Sequence, residues 1–297
     1  MSESYRIVVA DHEAGPRNAL VSLLERRGHI VFEADDGEEA LAVSHRCRPH
    51  MVIADTRMPG MDGFALLEAV RKQWPDTRRV LVTALDVDSH ISMVRRSGIG
   101  NILPKGTSMQ SEEVGEYLDA LLSGDVFGLE RYFAGRPVRR LSVRTPKEAT
   151  EACAAVVGSV RAREPLYLEM AVDELVSNAV FHGVLGGVPR ERWQEGYHLA
   201  EADRVIVAWA SDSEKVGVSI ADPKGDLRTA DVLQWLDQPL QERQGGEEHG
   251  RGLLLVRKLV DRFVVNIRPG VTTECIVFQY HRAEDVRGDK PILIHEV

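Results

Sequence analysis

Glu174 and Asn178 stand four residues apart, flanked by Ala171, Leu175 and Ala179, which repeat at the spacing of an apolar helical stripe. At that spacing an acid and an amide share one helix face, and His182 extends the polar stripe by one more turn. Much later, Gly250-Arg251-Gly252-Leu253 reads as a glycine-flanked turn opening a second helix. Together these residue types can hold a magnesium nucleotide. The Asn178 amide offers a neutral oxygen to an ion that prefers oxygen and keeps most of its waters. Gly250 and Gly252 let backbone N–H groups approach polyphosphate at a helix N-terminus, where the dipole favours negative charge. A second set lies near the start of the chain, where Asp11, Asp55, Thr83 and Lys105 each end or follow a short apolar run. A carboxylate nucleophile, a hydroxyl and a lysine converging on one rim accept, hold and neutralise a phosphoryl group.

The elements that must position these groups follow from periodicity. Ile7–Ala10, Ile30–Glu33, Met51–Ala54, Val80–Thr83 and Asn101–Leu103 read as strands. They alternate with helical patterns over Pro16–Arg27, Glu38–His45, Gly63–Gln73, Asp88–Arg96 and Glu112–Leu122. Five βα units in a row imply a doubly wound parallel sheet with its chemistry at the carboxyl ends of the strands. In the second half, Arg140–Arg144 reads as a strand, and Thr145-Pro146 starts a helix expected to reach about Arg163, with threonine as cap and proline in the first turn. Glu164-Pro165 breaks it, and the helix of Glu174 follows from Leu166. Val205–Trp209 and Lys215–Ala221 form an antiparallel pair delivering Asp222; Thr229–Gly246 reads as a mobile lid carrying Trp235. A helix Leu253–Phe263 and strands Val264–Ile267 and Glu274–Tyr280 complete a two-layer α/β sandwich with a mixed sheet.

The expected boundaries are a first domain over 1–124, a linker over 125–137, a second domain over 138–282 and a tail over 283–297. The apolar residues of Val126–Phe133 predict a short docking helix rather than a loose tether, and Pro291-Ile292-Leu293-Ile294 an added strand at a partner's edge.

Both halves resemble known families. The E-x-x-x-N-A-x-x-H-G form of Glu174–Gly183, with the later Gly-x-Gly-Leu turn, resembles the ATP-binding module shared by gyrase and sensor histidine kinases, the GHKL (Bergerat) fold. Within it the form is most similar to the anti-sigma-factor serine kinases. The resemblance implies that ATP and Mg²⁺ bind at Asn178, His182, Asp222, Gly225, Gly250, Arg251, Gly252 and Leu253. Asp222 then reads the adenine amine, and Glu174 acts as base toward a partner hydroxyl. The family's D-x-G-x-G appears here as Asp222-Pro223-Lys224-Gly225-Asp226, with one glycine displaced and one missing. A histidine kinase is disfavoured, because the stretch from Arg140 to Pro165 is too short for a phosphoacceptor helix pair.

The first half resembles a response-regulator receiver domain. Asp55-Thr56-Arg57-Met58-Pro59-Gly60-Met61-Asp62-Gly63 matches its phosphoacceptor loop, Thr83-Ala84 its switch threonine and Lys105 its lysine. The resemblance implies phosphorylation of Asp55 and a Mg²⁺ ion at Asp11 and Asp55. Three positions depart from it. His12 replaces the second acid after the first strand, Gly106 the proline after the lysine, and Ile102 the aromatic switch residue. His12 reads as a surface-loop histidine, so the magnesium site is one hard ligand short unless Glu13 substitutes.

The 297 residues carry a net charge of −9, with 43% hydrophobic and 28% charged residues. Two domains, no nucleic-acid partner and an ordinary globular composition are expected. The basic cluster Arg136, Arg139, Arg140 and Arg144 reads as a solvated edge. A strand beginning near Tyr5 and the lack of any long apolar run imply neither leader nor membrane span, hence a cytoplasmic protein. The implied partners are a sensor histidine kinase or phosphotransfer protein upstream and an anti-sigma antagonist of the STAS type, or a sigma factor, downstream. A homodimer is expected. The alternative is a non-catalytic adaptor, a pseudo-response regulator whose phosphorylation and ATP sites are vestigial.

Overall fold

The computed structural model describes residues 3–105, 112–187, 196–237, 251–282 and 290–297. The chain divides into two units, Met1–Val126 with Gly288–Ile292, and Phe127–Arg287 with Leu293–Val297.

In the first unit, strands β1 (Arg6–Ala10), β2 (Ile30–Ala34), β3 (Met51–Asp55), β4 (Arg78–Thr83) and β5 (Asn101–Pro104) pair in parallel in the order β2-β1-β3-β4-β5. The helices are α1 (Ala14–Arg26), α2 (Gly37–Cys47), α3 (Gly63–Gln73), α4 (Ile91–Ser97) and α5 (Glu112–Ser123), with a 3-10 turn at Asp88–His90 before α4. Strand β3 is buried along its whole length, as expected of a central strand covered on both faces. The helix starts are written locally: Asp36 and Asp62 cap α2 and α3 by accepting the backbone N–H of Glu39 and Ala65 at 2.8 Å.

The second unit holds an antiparallel run β6 (Arg139–Val143), β7 (Val205–Ser211), β8 (Lys215–Asp222), β10 (Thr272–Tyr280) and β9 (Arg262–Arg268). Strand β11 (Ile292–Glu296) pairs in parallel with β9, Leu293 opposite Val264 and Glu296 opposite Ile267. The tail strand expected at a partner's edge thus pairs within its own chain, where Leu293 and Ile294 are buried. Helices α6 (Pro146–Ser159), α7 (Pro165–Asn178), α8 (Thr229–Leu236) and α9 (Arg251–Leu259) make the second layer, α7 packing on α6, α9, β8 and β10. Thr145 caps α6 in a reciprocal capping box with Glu148.

Two helix ends differ from expectation. Helix α6 stops at Ser159 because Val160 is extended and Ser159 Oγ accepts the Trp209 Nε1–H at 2.7 Å. Helix α9 stops at Leu259, since Asp261 N donates to Phe278 O at 3.0 Å and starts β9. The segment expected as a docking helix forms a 3-10 turn, Glu130–Tyr132, inside the second unit. Phe133 closes on the sheet so tightly that a Cβ on Gly217 would lie 2.6 Å from its ring. Residues 238–246, half of the expected lid Thr229–Gly246, lie outside the described residues, and the other half is mostly helix α8.

Candidate functional site

In the first unit, parallel register brings four strand ends to one rim: Ala10 lies opposite Ala54, Asp55 opposite Val82 and Thr83 opposite Pro104. Asp11, Asp55 and Thr83 are buried there. Lys105 Nζ lies 2.9 Å from both Asp55 Oδ2 and Asp11 Oδ2, and 3.3 Å from Glu13 Oε1. Burial pulls the Lys105 ammonium down, but its hydrogen bonds and charge interactions with Asp55 and Asp11 outweigh this and leave it raised. The structure therefore gathers Asp11, Asp55, Thr83 and Lys105 as expected from their strand-end positions. It also adds Thr56, whose hydroxyl donates to Thr83 Oγ1 at 3.2 Å and lies 3.4 Å from Asp55 Oδ1. Its place directly after the end of β3 is the signal that identifies it. Gly63 lets α3 start hard against this rim, since a Cβ there would lie 2.1 Å from Asp55 O. Ile102 is wholly buried in β5; Gly106 lies outside the described residues.

His12 is exposed in the loop after β1, as expected of a surface histidine, yet it stands close to the rim. Its Nδ1 lies 3.2 Å from Asp55 Oδ2, and the ring stands among three carboxylates. A magnesium ion wants oxygen or water at every position, and an imidazole nitrogen at this one does not fit that demand. The hard donors left to the expected Mg²⁺ are the carboxylates of Asp11, Asp55 and Glu13, and His12 is the ligand that favours other ions.

In the second unit, a cavity of about 370 Å³ opens between α7, α8, α9 and the sheet, within the range of small-molecule sites. Helix α7 continues as a π-helical turn, Ala179–Val184, a local widening common at functional sites. Asn178 and His182 reach the cavity from this stretch. Asn178 Nδ2 donates to Glu174 Oε1 at 3.2 Å, which commits the amide nitrogen and leaves the amide oxygen for a ligand. Glu174 itself does not line the cavity; it sits beside Asn178 under the start of α9. A Cβ on Gly252 would lie 1.8 Å from Glu174 Oε1 and 3.0 Å from Asn178 Nδ2. Glycine there is what allows the helix start to close on the acid–amide pair.

Asp222 ends β8 on the cavity wall, and its Oδ1 accepts the backbone N–H of Lys224 at 2.9 Å and Gly225 at 3.2 Å. Burial raises its carboxyl above the ordinary range; the Lys224 and Gly225 N–H groups and Thr273 pull it partly back. Gly183 makes room for it, since a Cβ there would lie 2.9 Å from Asp222 Cγ. Gly225, at φ +64°, does not line the cavity but holds the turn behind it. Leu253 and Gly252 line the cavity, whereas Gly250 and the Arg251 side chain lie outside the described residues. Thr273 and Cys275 also line it; both face inward by the twofold alternation of β10, a pattern legible in the sequence. Trp235 and Leu227 complete an apolar wall. Apolar walls, one buried carboxylate, an amide oxygen and two glycine-cleared approaches fit a nucleotide.

Residues 7–113 match the response regulator receiver domain family, and residues 141–278 the histidine kinase-like ATPase domain family. The probable transcriptional regulatory protein NarL of Mycobacterium tuberculosis is 35% identical over 126 residues, covering 42% of this chain and 58% of that protein. The probable transcriptional regulator ycf27 of Porphyridium aerugineum is 39% identical over 88 residues, covering 29% of this chain and 36% of that protein. The chain thus spans less than two thirds of the length of these relatives. Among solved structures, the signal receiver domain of NarL from M. tuberculosis aligns at 34% identity and a TM-score of 0.36, covering 41% of this chain and 98% of that one. No helix among the described residues is long and apolar enough to cross a membrane. The ATPase match suggests ATP binding by the second unit. The chain carries a response regulator receiver domain followed by a histidine kinase-like ATPase domain, a pairing that fits a signalling protein.

Proposed function

We propose that the receiver controls a nucleotide-dependent serine/threonine protein kinase of the anti-sigma type in the second unit, acting on a partner protein. The observation that carries this reading is the closure of Gly252 on the Glu174–Asn178 pair beside a cavity lined by Asn178, Gly252 and Asp222. It supplies an acid, a metal-facing amide and a helix start within one small volume.

Bound ATP with Mg²⁺ supplies the phosphoryl group. Asn178 would offer its amide oxygen to the metal, Asp222 would hold the base through its exocyclic amine, and the α9 N-terminus would stabilise the phosphate charge. Glu174 takes the proton of a partner serine hydroxyl as that oxygen displaces ADP from the γ-phosphorus. In the receiver, one Asp55 oxygen attacks the phosphorus of a phosphohistidine protonated at its other ring nitrogen, the P–N bond breaks, and an acyl phosphate forms as neutral imidazole leaves. Lys105 pairs with the phosphoryl oxygens and Thr83 donates its hydroxyl to them. The upstream donor is a sensor histidine kinase or phosphotransfer protein, and the downstream partner a STAS-type antagonist or a sigma factor. The working form is a cytoplasmic homodimer.

Calorimetric titration with Mg-ATP tests the site: Asn178→Ala weakens binding at least tenfold, and equal affinity in the two proteins sinks the assignment. Incubation with γ-labelled ATP and a STAS-domain protein tests the activity. Label appears on serine, and Glu174→Gln retains nucleotide affinity while transfer falls at least a hundredfold. Transfer that survives this change refutes the role of Glu174.

A further inference from the structure

The receiver rim departs from a magnesium site at one position, and the departure has a chemical direction. His12 Nδ1 lies 3.2 Å from Asp55 Oδ2 and 3.9 Å from Asp11 Oδ1, and Nε2 lies 3.9 Å from Glu13 Oε1. One donor atom from each of Asp11, His12, Glu13 and Asp55 lies within 4.8 Å of the others. Two ligands held about 2.0–2.1 Å from one ion stand about 2.9 Å apart at an octahedral edge and about 3.3 Å apart at a tetrahedral edge. The ring nitrogen and the Asp55 oxygen already have that separation.

The charges point the same way. Three carboxylates, those of Asp11, Glu13 and Asp55, face a single ammonium, Lys105. The nearby Arg17 guanidinium donates to the Asp11 carbonyl and is matched by Glu33 at 3.2 Å. With a neutral imidazole, as a metal ligand must be, the cluster holds two more negative than positive charges, the complement of a divalent cation. Asp11 and Asp55 form a buried floor, while His12 and Glu13 stand on the solvent side, where an ion can enter.

We propose that Asp11, His12, Glu13 and Asp55 form a site for a divalent transition ion of the cobalt or zinc class in preference to Mg²⁺, with His12 as the selecting ligand. Imidazole binds such ions well, in an order that rises from manganese through cobalt to copper and falls back at zinc, whereas Mg²⁺ gains little from nitrogen and keeps its waters. The proposal stands apart from the kinase reading, since it concerns only the receiver.

The test uses the full chain without an affinity tag, stripped of metal and free of nucleotide. CoCl₂, ZnCl₂ and MgCl₂ are titrated by calorimetry, with the visible absorption of Co²⁺ as a second readout. Wild type takes Co²⁺ and Zn²⁺ at least tenfold more tightly than Mg²⁺. His12→Ala loses one equivalent of Co²⁺ and its absorption band, and His12→Asp gains at least tenfold in Mg²⁺ affinity. His12 is partly exposed, so both variants are expected to fold, which a thermal melt checks. Mg²⁺ bound as tightly as Co²⁺ by wild type, or Co²⁺ binding unchanged in His12→Ala, overturns the proposal. So does a rim that takes no ion, which would leave Lys105 as the sole cation of the site.

Discussion

Asp222 bears two demands that oppose each other. As an acid whose native pKa is raised by burial, it binds its proton more tightly folded than unfolded. Its contribution to stability is thus fully present below the unfolded value, near 3.9, and is lost as pH rises through the raised native value. Asp222→Asn removes that burden while keeping an oxygen for the Lys224 and Gly225 N–H groups. Without nucleotide, the variant should melt above wild type at pH 7.5, with the gap closing toward pH 4; a gap independent of pH would show that burial of the charge is not its cause. ATP affinity should fall at the same time, since an amide nitrogen facing the adenine amine opposes one donor with another. Gly225 is constrained by shape instead. At φ +64°, a Cβ there would lie 2.3 Å from Arg268 O, so Gly225→Ala should cost about 2 kcal/mol or more. Urea unfolding measures it, and a change within experimental error would mean the β9–β10 hairpin shifts freely.

Strand β10 divides its work by the twofold alternation of strand side chains. Thr273 and Cys275 face the cavity, while Glu274 is buried on the other face. Its carboxylate accepts Ser219 Oγ–H at 2.5 Å, Asn266 Nδ2–H at 3.1 Å and the backbone N–H of Gly128 at 2.9 Å. A buried acceptor with three donors is costly to disturb, and Glu274→Gln turns an N–H donor toward groups that already donate. A loss of roughly 2 kcal/mol is expected, read by denaturant titration. Hydrogen exchange at Gly128 should quicken in the same variant; unchanged exchange there would mean that Glu274 does not anchor the segment after Val126. Element ends follow the same logic of local against distant causes. The caps of α2, α3 and α6 are side chains within three residues of the N–H groups they satisfy. The early stop of α6, by contrast, involves Trp209 on a different strand.

At the scale of the molecule, each unit has its own buried core, Val8, Val52, Leu66 and Leu81 in one and Val172, Val207, Val218 and Ile276 in the other. Scanning calorimetry should then resolve two transitions, with Mg-ATP raising only the one that belongs to the second unit. At a hundredfold excess over the dissociation constant the gain is about 2.7 kcal/mol. A single transition that moves as a whole with ATP would mean the two units unfold as one.

The elements were legible in the sequence because they depend on neighbours a few residues away: alternation for the strands, a 3.6-residue repeat for the helices, and aspartate or threonine at the caps. Asp55, Thr83 and Lys105 were legible for the same reason, since parallel strands deliver their carboxyl ends to one rim whatever the loops do. Glu174 and Asn178 were placed on one face by helix period alone. Tertiary structure decided the rest. The short distance of His12 from Asp55, the hydroxyl link of Thr56 to Thr83, the closing of Gly252 on Glu174 and the pairing of β11 with β9 all join residues remote in sequence or turned by a loop. Such contacts depend on where separate elements come to rest, and no local period encodes that position.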